Sequence, residues 1–144
     1  MNQQQYEAAK KEALCYYDKA GIFITPQEKE HYEVADFGLN DWRNVGLNIV
    51  TYVNTERCCA KEMVLLPGQT CPEHSHIPFG EYPGKEETFR CRMGVVYVYV
   101  DGEPTQSILA TVPQTGHAHY HVFHEIILHE GEQYTMQPNT RHWF

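Results

Sequence analysis

The sequence lacks the features that would place it in a membrane or on nucleic acid. None of its apolar runs approaches the roughly 18 residues of a membrane span, and the amino terminus is polar with no apolar segment behind it. Basic residues are also scarce, since 11 Lys and Arg stand against 19 Asp and Glu, and the net charge of −8 repels phosphate backbones. We therefore expect no nucleic-acid or membrane partner, and a cytoplasmic location.

Cysteine is present in a number and spacing that exclude two common uses. The count of five is odd, Cys58 and Cys59 are adjacent, and no Cys-x-x-Cys pair occurs. A disulfide framework needs even numbers and a zinc knuckle needs paired spacing. We therefore expect all five cysteines to be reduced and mostly buried.

The order of structural patterns predicts short helices followed by strands. Residues 3–20 place apolar side chains at helical spacing and end before Gly21, and residues 25–28 form a capping box that begins a second short helix. From about residue 45, β-branched and aromatic runs alternate with turn residues, most clearly at residues 94–100. We predict one domain over residues 1–144, with a helical segment at about 3–35 and a β-barrel at about 45–144.

Two histidines give the strongest local signal for chemistry. His74 and His76 stand at i and i+2, which on an extended segment places both imidazoles on one face and within reach of one ion. The chain has nine histidines, so a chance pair on a solvated face is an equal alternative when this motif is taken alone.

Two further segments resemble the remainder of the cupin motifs. Glu87 is followed after six residues by Gly94, as at the end of the first cupin motif, although the loop at residues 77–86 is longer than usual. The run from Gly131 through a proline turn to His142 resembles the second motif. The resemblance implies an all-β cupin fold, a double-stranded β-helix or jelly-roll barrel with short N-terminal helices. Such barrels close with further strands, so we expect the chain to be C-terminally truncated.

The same motifs imply four metal ligands: His74, His76, Glu87 and His142. Three imidazoles and one carboxylate suit manganese, iron, cobalt, nickel or zinc better than calcium. In six-coordinate geometry this set leaves two adjacent positions open, as a catalytic metal needs for two neighbouring substrate oxygens.

A more specific resemblance runs along nearly the whole chain. Residues 36–39, 51–57, 71–76, 84–88 and 138–144 are similar to the D-lyxose isomerase family, and the family shares the long loop. The family implies a Mn²⁺-dependent aldose–ketose isomerase that interconverts D-lyxose and D-xylulose by proton transfer through a metal-stabilised enediol. Some members also accept D-mannose and D-fructose.

The catalytic groups follow less directly from the sequence. Alternation places Lys85 beside Glu87, so Lys85 is our candidate acid or oxyanion partner, with a solvated lysine pairing with Glu81 or Glu86 as the alternative. Glu87 is the candidate base. The family also implies a further carboxylate that would follow Phe144.

Other polar residues near the motifs are candidates for binding the sugar. His124 and Glu125 precede the second motif on a predicted strand and are our candidate substrate contacts, although a satisfied barrel histidine is an equal alternative. Three alternating histidines at residues 117–121 suggest a second metal site, but no carboxylate accompanies them, and we predict a solvated strand face.

Three other functions remain open because cupins host many activities. A non-haem dioxygenase would require iron or copper and would consume oxygen. A sugar-phosphate isomerase is less favoured, because the basic residues are scattered and form no phosphate clamp. A non-catalytic sugar-binding cupin would bind ligand without forming ketose. We expect a homodimer that acts on a small sugar.

Overall fold

The computed structural model describes residues 1–144, which divide into two compact units, Met1–Cys71 and Pro72–Phe144. The boundary falls within the segment predicted as a barrel, and the single-domain organisation stays a prediction. None of the helices combines the length and the apolar character needed to cross a bilayer.

The first unit contains both α-helices and one sheet. Its elements are α1 (Gln3–Lys19), α2 (Pro26–Glu30), β1 (Glu33–Ala35), β2 (Leu47–Asn54) and β3 (Cys59–Val64). The strands pair antiparallel in the order β1-β2-β3. The prediction of two short helices ahead of the strands is therefore confirmed.

Local side-chain contacts explain where both helices begin. Asn2 and Gln5 form a reciprocal capping box at the start of α1, and Thr25 and Glu28 form another at the start of α2, whose first residue is proline. Gly21 follows α1 with a φ of 67°, which glycine adopts without steric cost. These caps satisfy backbone N–H groups that would otherwise lack partners.

Helix α1 packs its apolar face into the core of this unit. Seven buried residues form that core: Ala13, Tyr17, Ile24, Tyr32, Val50, Val64 and Leu66. The Tyr17 hydroxyl donates to the Glu62 carbonyl at 3.0 Å, and burial raises the pKa of that phenol. The helix is thus fixed to the sheet by apolar contacts and by one buried hydrogen bond.

The second unit consists of short strands and connecting loops. Its strands are β4 (Glu87–Arg90), β5 (Val95–Val100), β6 (His124–His129), β7 (Gln133–Met136) and β8 (His142–Trp143). Strand β4 pairs with β7, and a second sheet has the order β6-β5-β8, with every pair antiparallel. The mostly β fold is confirmed.

A small aromatic core fixes β8 in this unit. Trp143 stacks on Tyr99 with ring centroids 3.8 Å apart, and its indole N–H donates to the Val122 carbonyl at 2.7 Å. Tyr120 meets Trp143 edge-on. Because His142 directly precedes this anchored tryptophan, its backbone position is set by the core.

Two expectations are wrong. Residues 117–121 do not form a strand: His117–His119 is a short 3₁₀ helix that follows Gly116, whose φ is 72°. The five cysteines are all free, as expected, but only Cys71 and Cys91 are buried. The alternating histidines misled because a period of two also fits a turn that exposes its side chains.

Candidate metal centre

The predicted ligand histidines lie on two segments that pair through their backbones. His74 N–H donates to the His142 carbonyl and His142 N–H donates to the His74 carbonyl, each at 2.9 Å. This is an isolated bridge and not part of a longer strand around His74. The bridge brings the two rings to a centroid separation of 4.2 Å.

Four side chains converge at this bridge. One nitrogen or oxygen atom from each of His74, His76, Glu87 and His142 lies within 4.8 Å of the others, so the group could hold a metal ion. The four residues come from the 72–76 segment, from the start of β4 and from the start of β8. All four lie in the second unit.

The histidine rings are oriented by backbone carbonyls behind them. His74 Nδ1 lies 2.8 Å from the Pro72 carbonyl, and His142 Nδ1 lies 2.9 Å from the Thr140 carbonyl. Because a carbonyl only accepts, each Nδ1 carries the hydrogen and each Nε2 keeps a free lone pair. This is the arrangement that metal-binding histidines use.

One buried nitrogen tests whether the site fits a metal. His142 is 1% exposed, and its Nε2 has no hydrogen-bond partner, although Glu87 Oε2 lies 3.3 Å away. A buried polar atom without a partner costs free energy unless something binds it. A lone pair directed at a carboxylate and two further imidazoles is satisfied by a cation, so the residues present fit a divalent metal.

The charge state of the site also suits a cation. Burial would raise the pKa of the Glu87 carboxyl, but its side-chain contacts, among them the ion pair with Lys85, outweigh burial and hold that pKa well below its usual range. Burial lowers the pKa of the His74 imidazole and so favours the neutral ring. An ionised carboxylate beside imidazole nitrogen is a donor set for transition metals rather than calcium.

The long loop passes very close to the second histidine. Gly84 has a φ of 101°, and a Cβ at this position would lie 2.3 Å from the His76 carbonyl oxygen. Only glycine fits both the conformation and the contact. At the loop tip, Phe79 and Tyr82 exchange two backbone hydrogen bonds of 3.0 Å each. The loop therefore returns tightly and delivers Lys85 and Glu87 to the histidines.

Lys85 lies where alternation predicted it. Its Nζ makes an ion pair with Glu87 Oε1, while Glu87 Oε2 accepts a 2.9 Å contact from His76 Nε2. The lysine side chain is 41% exposed. Lys85 thus contacts the four-residue group while part of its side chain stays in solvent.

His124 lies on a strand of the same sheet as His142, but it is not one of the four converging residues. Val100 in β5 pairs with His142 on one side and with His124 on the other, so the two histidines share a sheet face. The Nδ1 atom of His124 lies 3.0 Å from the Glu103 carbonyl. Its role in substrate binding stays a prediction.

Glu125 lies on the opposite face of the same sheet. Its Oε2 accepts hydrogen bonds from the Tyr99 hydroxyl at 2.5 Å and from the Leu109 N–H at 2.7 Å. The proximity of this carboxylate raises the pKa of Tyr99 further than burial alone does. These contacts hold the loop before β6, and the predicted sugar contact of Glu125 also stays a prediction.

Relatives that match over the whole of this chain show its family. The chain is 56% identical over all 144 residues to the D-lyxose/D-mannose isomerase of Thermosediminibacter oceani and covers 75% of it. It is 54% identical over the same length to the D-lyxose ketol-isomerase of Cohnella laeviribosi and covers 79% of that protein. The chain belongs to the D-lyxose isomerase family. No family model matches it.

Solved structures share the fold of this D-lyxose isomerase family member at much lower identity. The L-ribose isomerase of Acinetobacter sp. DL28, in complex with L-ribose, has a TM-score of 0.76 at 15% identity and matches over 99% of this chain and 74% of its own. The unliganded L-ribose isomerase of Cellulomonas parahominis has a TM-score of 0.71 at 17% identity, over 100% and 76%. The likeness confirms the predicted cupin fold.

Sequence reasoning missed residues that support the site in this family member. Phe144 lies beside the His142 ring, with ring centroids 6.4 Å apart. Glu73 and Arg141 each directly precede a histidine of the group and contact one another at 3.7 Å. Their adjacency to His74 and His142 was the available signal, but a single charged neighbour has no distinctive spacing.

Proposed function

We propose that this protein is a Mn²⁺-dependent D-lyxose ketol-isomerase, which interconverts D-lyxose and D-xylulose in the cytoplasm. Identity of 51–56% over the whole chain to proteins named as D-lyxose isomerases carries the proposal. The convergence of His74, His76, Glu87 and His142 supports a metal-dependent reaction at one site. D-mannose is a second proposed substrate, because one relative is also named for it.

The four converging side chains would hold the ion. A bound divalent metal would supply a Lewis acid for the neighbouring oxygens on carbons 1 and 2 of the sugar. The carbonyls of Pro72 and Thr140 keep the imidazoles of His74 and His142 turned toward it. The mixed nitrogen and oxygen donors are compatible with manganese, and they also suit iron, cobalt, nickel and zinc.

Lys85 and Glu87 are the proposed proton-transfer residues. The reaction moves a proton between carbons 2 and 1 of the sugar and requires an acid at the substrate oxygen. The Lys85 ammonium contacts Glu87 and is partly exposed, so it can turn from that carboxylate to a substrate oxygen. Glu87 is in contact with Lys85 and is the proposed acceptor of the carbon-bound proton. General acid–base catalysis of this kind contributes about 10²- to 10⁴-fold in rate.

Replacement of Lys85 separates this role from metal binding. We expect Lys85→Met to lower kcat about 100-fold without weakening Mn²⁺ binding, because Lys85 is not a ligand and its loss removes a positive charge beside Glu87. Steady-state kinetics and calorimetric titration of Mn²⁺ on the same preparation measure both quantities. Equal kcat in Lys85→Met and wild type would remove Lys85 from the mechanism.

Features outside the site support the proposed location and assembly. All five cysteines are free, as is usual in a reducing compartment. Val95 and Ile127 are 45% and 39% exposed on the β5-β6 sheet, and such an apolar face supports a homodimer. Light scattering of purified protein tests the dimer directly.

The decisive experiment is ketose formation from D-lyxose. Protein stripped with chelator should be inactive, and Mn²⁺ should restore D-xylulose production. His76→Ala should abolish the restored activity, whereas His129→Ala, which removes an exposed imidazole on β6, should retain it. Metal binding without ketose formation would favour a non-catalytic sugar-binding cupin, and oxygen consumption with iron would favour a dioxygenase.

A further inference from the structure

The two histidine segments that meet at the bridge are built alike. In residues 72–74 and in residues 140–142, the last residue is a histidine whose ring nitrogen donates to the carbonyl two positions earlier. The segments run antiparallel and exchange both backbone hydrogen bonds at His74 and His142. Any shift of one segment along the other would therefore separate the two Nε2 atoms.

The middle residue of each segment is charged and lies behind the histidines. In extended backbone, neighbouring side chains point to opposite faces, so Glu73 and Arg141 project away from the metal face. They are diagonal neighbours across the bridge, and Glu73 Oε1 lies 3.7 Å from Arg141 Nε. The ion pair thus spans both ligand-bearing segments on the side away from the ligands.

Glu73 makes more contacts than this pair. Its side chain is only 5% exposed, and its Oε2 accepts the backbone N–H groups of His121 and Val122, the latter at 3.0 Å. Its Oε1 lies 2.9 Å from His121 Nδ1. A buried carboxylate with three hydrogen-bond contacts and one ion pair is held firmly, because loss of a partner would leave a charge poorly solvated.

These contacts connect the metal group to the anchored core of the unit. Val122, whose N–H bonds to Glu73, also accepts the indole hydrogen bond of Trp143 through its carbonyl at 2.7 Å. Trp143 directly follows His142. Glu73 therefore closes a loop of bonds that runs from the first ligand segment to residues 121–122 and back to the second ligand segment.

We propose that Glu73 is a positioning residue for the metal centre. Together with Arg141 it fixes the register of the two ligand segments from the back, so that the Nε2 atoms of His74 and His142 stay at coordinating distance. This inference rests on the proposed metal site and adds a determinant of its affinity. Residues that orient metal ligands typically change affinity about 10- to 100-fold when they are replaced.

The test is calorimetric titration of Mn²⁺ into metal-free protein. We expect Glu73→Ala to weaken binding about 10- to 100-fold and Glu73→Gln to recover part of that loss, because the amide oxygen still accepts the two backbone N–H groups. Arg141→Ala, in an exposed side chain, should weaken binding several-fold. Glu132→Ala is the matched control, since its carboxylate also accepts a backbone N–H, that of His129, away from both segments.

A second readout separates positioning from general stability. The electron paramagnetic resonance spectrum of bound Mn²⁺ reports ligand geometry and should broaden in Glu73→Ala but not in Glu132→Ala. Unchanged affinity and spectrum in Glu73→Ala would overturn the inference even if the melting temperature fell. If Glu73→Ala does not fold, unchanged affinity in Arg141→Ala overturns it. Failure of the wild type to bind Mn²⁺ would instead refute the proposed function.

Discussion

Two segments of this protein carry alternating histidines, and only one of them gathers its imidazoles around a common point. His74 and His76 lie with ring centroids 5.2 Å apart and share a carboxylate neighbour, Glu87. Of the three histidines at residues 117–121, His117 and His119 lie in a 3₁₀ helix and His121 follows it, and each of them is exposed. The spacing is the same, but the backbone beneath it differs.

The difference teaches that alternating histidines converge only where the segment that carries them is paired with another segment. His74 is fixed by two backbone hydrogen bonds to His142, and both rings have a carbonyl behind them. At residues 117–121 the one ring with a carboxylate partner is His121, and Glu73 holds it from the back of the other segment. One histidine run therefore converges on Glu87, and the backbone that follows the other run holds Glu73 behind it.

The largest expected effect on Mn²⁺ affinity comes from replacing a histidine of the four-residue group, compared with replacing a histidine of residues 117–121. His142→Ala should weaken Mn²⁺ binding by more than about 100-fold, the upper range for supporting residues, because a direct donor is lost. His119→Ala should leave binding unchanged. Calorimetric titration of both variants measures this, with circular dichroism to verify folding. Comparable losses in the two variants would mean that the second run also binds metal.

Substitutions at two glycines, one beside each histidine segment, compare the two segments by their effect on the free energy of unfolding. Gly84 lies beside His76, and Gly116 precedes the exposed 3₁₀ helix, and both have positive φ. Gly116→Ala should cost about 1 kcal/mol from strain alone, since nothing lies within 4 Å of the new methyl group. Gly84→Ala should cost about 3 kcal/mol, because a clash with the His76 carbonyl is added.

Urea denaturation of the two metal-free variants measures these free energies of unfolding. The linear slope against urea should match that of the wild type in both. Equal destabilisation by the two substitutions would show that the loop can move away from His76, and that Gly84 is not required for the approach.

The smallest effect is expected at His121. Its ring is 56% exposed, so loss of its contact with Glu73 should cost less than about 1 kcal/mol, as for other exposed pairs. The backbone N–H that Glu73 also binds is retained in His121→Ala. Mn²⁺ affinity should stay within about twofold of the wild type in the same titration. A loss as large as that of Glu73→Ala would transfer the supporting role to the imidazole.

Residue pattern was sufficient to predict much of the fold. Capping residues such as Thr25 and Glu28 act within one turn, and the run of β-branched and aromatic residues in β5 favours a strand by itself, so both signals are local. The four converging residues were also predictable, because the cupin motifs encode their spacing. The lyxose isomerase resemblance then accounted for the long loop before Glu87.

Contacts between distant residues could not be predicted in this way. The bonds from Glu73 to residues 121 and 122 cross 48 and 49 positions, and no spacing rule connects them. The strand prediction for residues 117–121 was wrong because a 3₁₀ helix after Gly116 also exposes histidines spaced two residues apart. Glu125 could not be assigned to a face until its pairing with Tyr99 fixed the register.

The most direct test of the metal centre is the location of manganese in crystals of the Mn²⁺-loaded protein by anomalous scattering. We predict one anomalous peak per chain, at coordinating distance from the side chains of His74, His76, Glu87 and His142. A peak among the histidines of residues 117–121, or no peak at the four-residue group in fully loaded protein, would contradict the account.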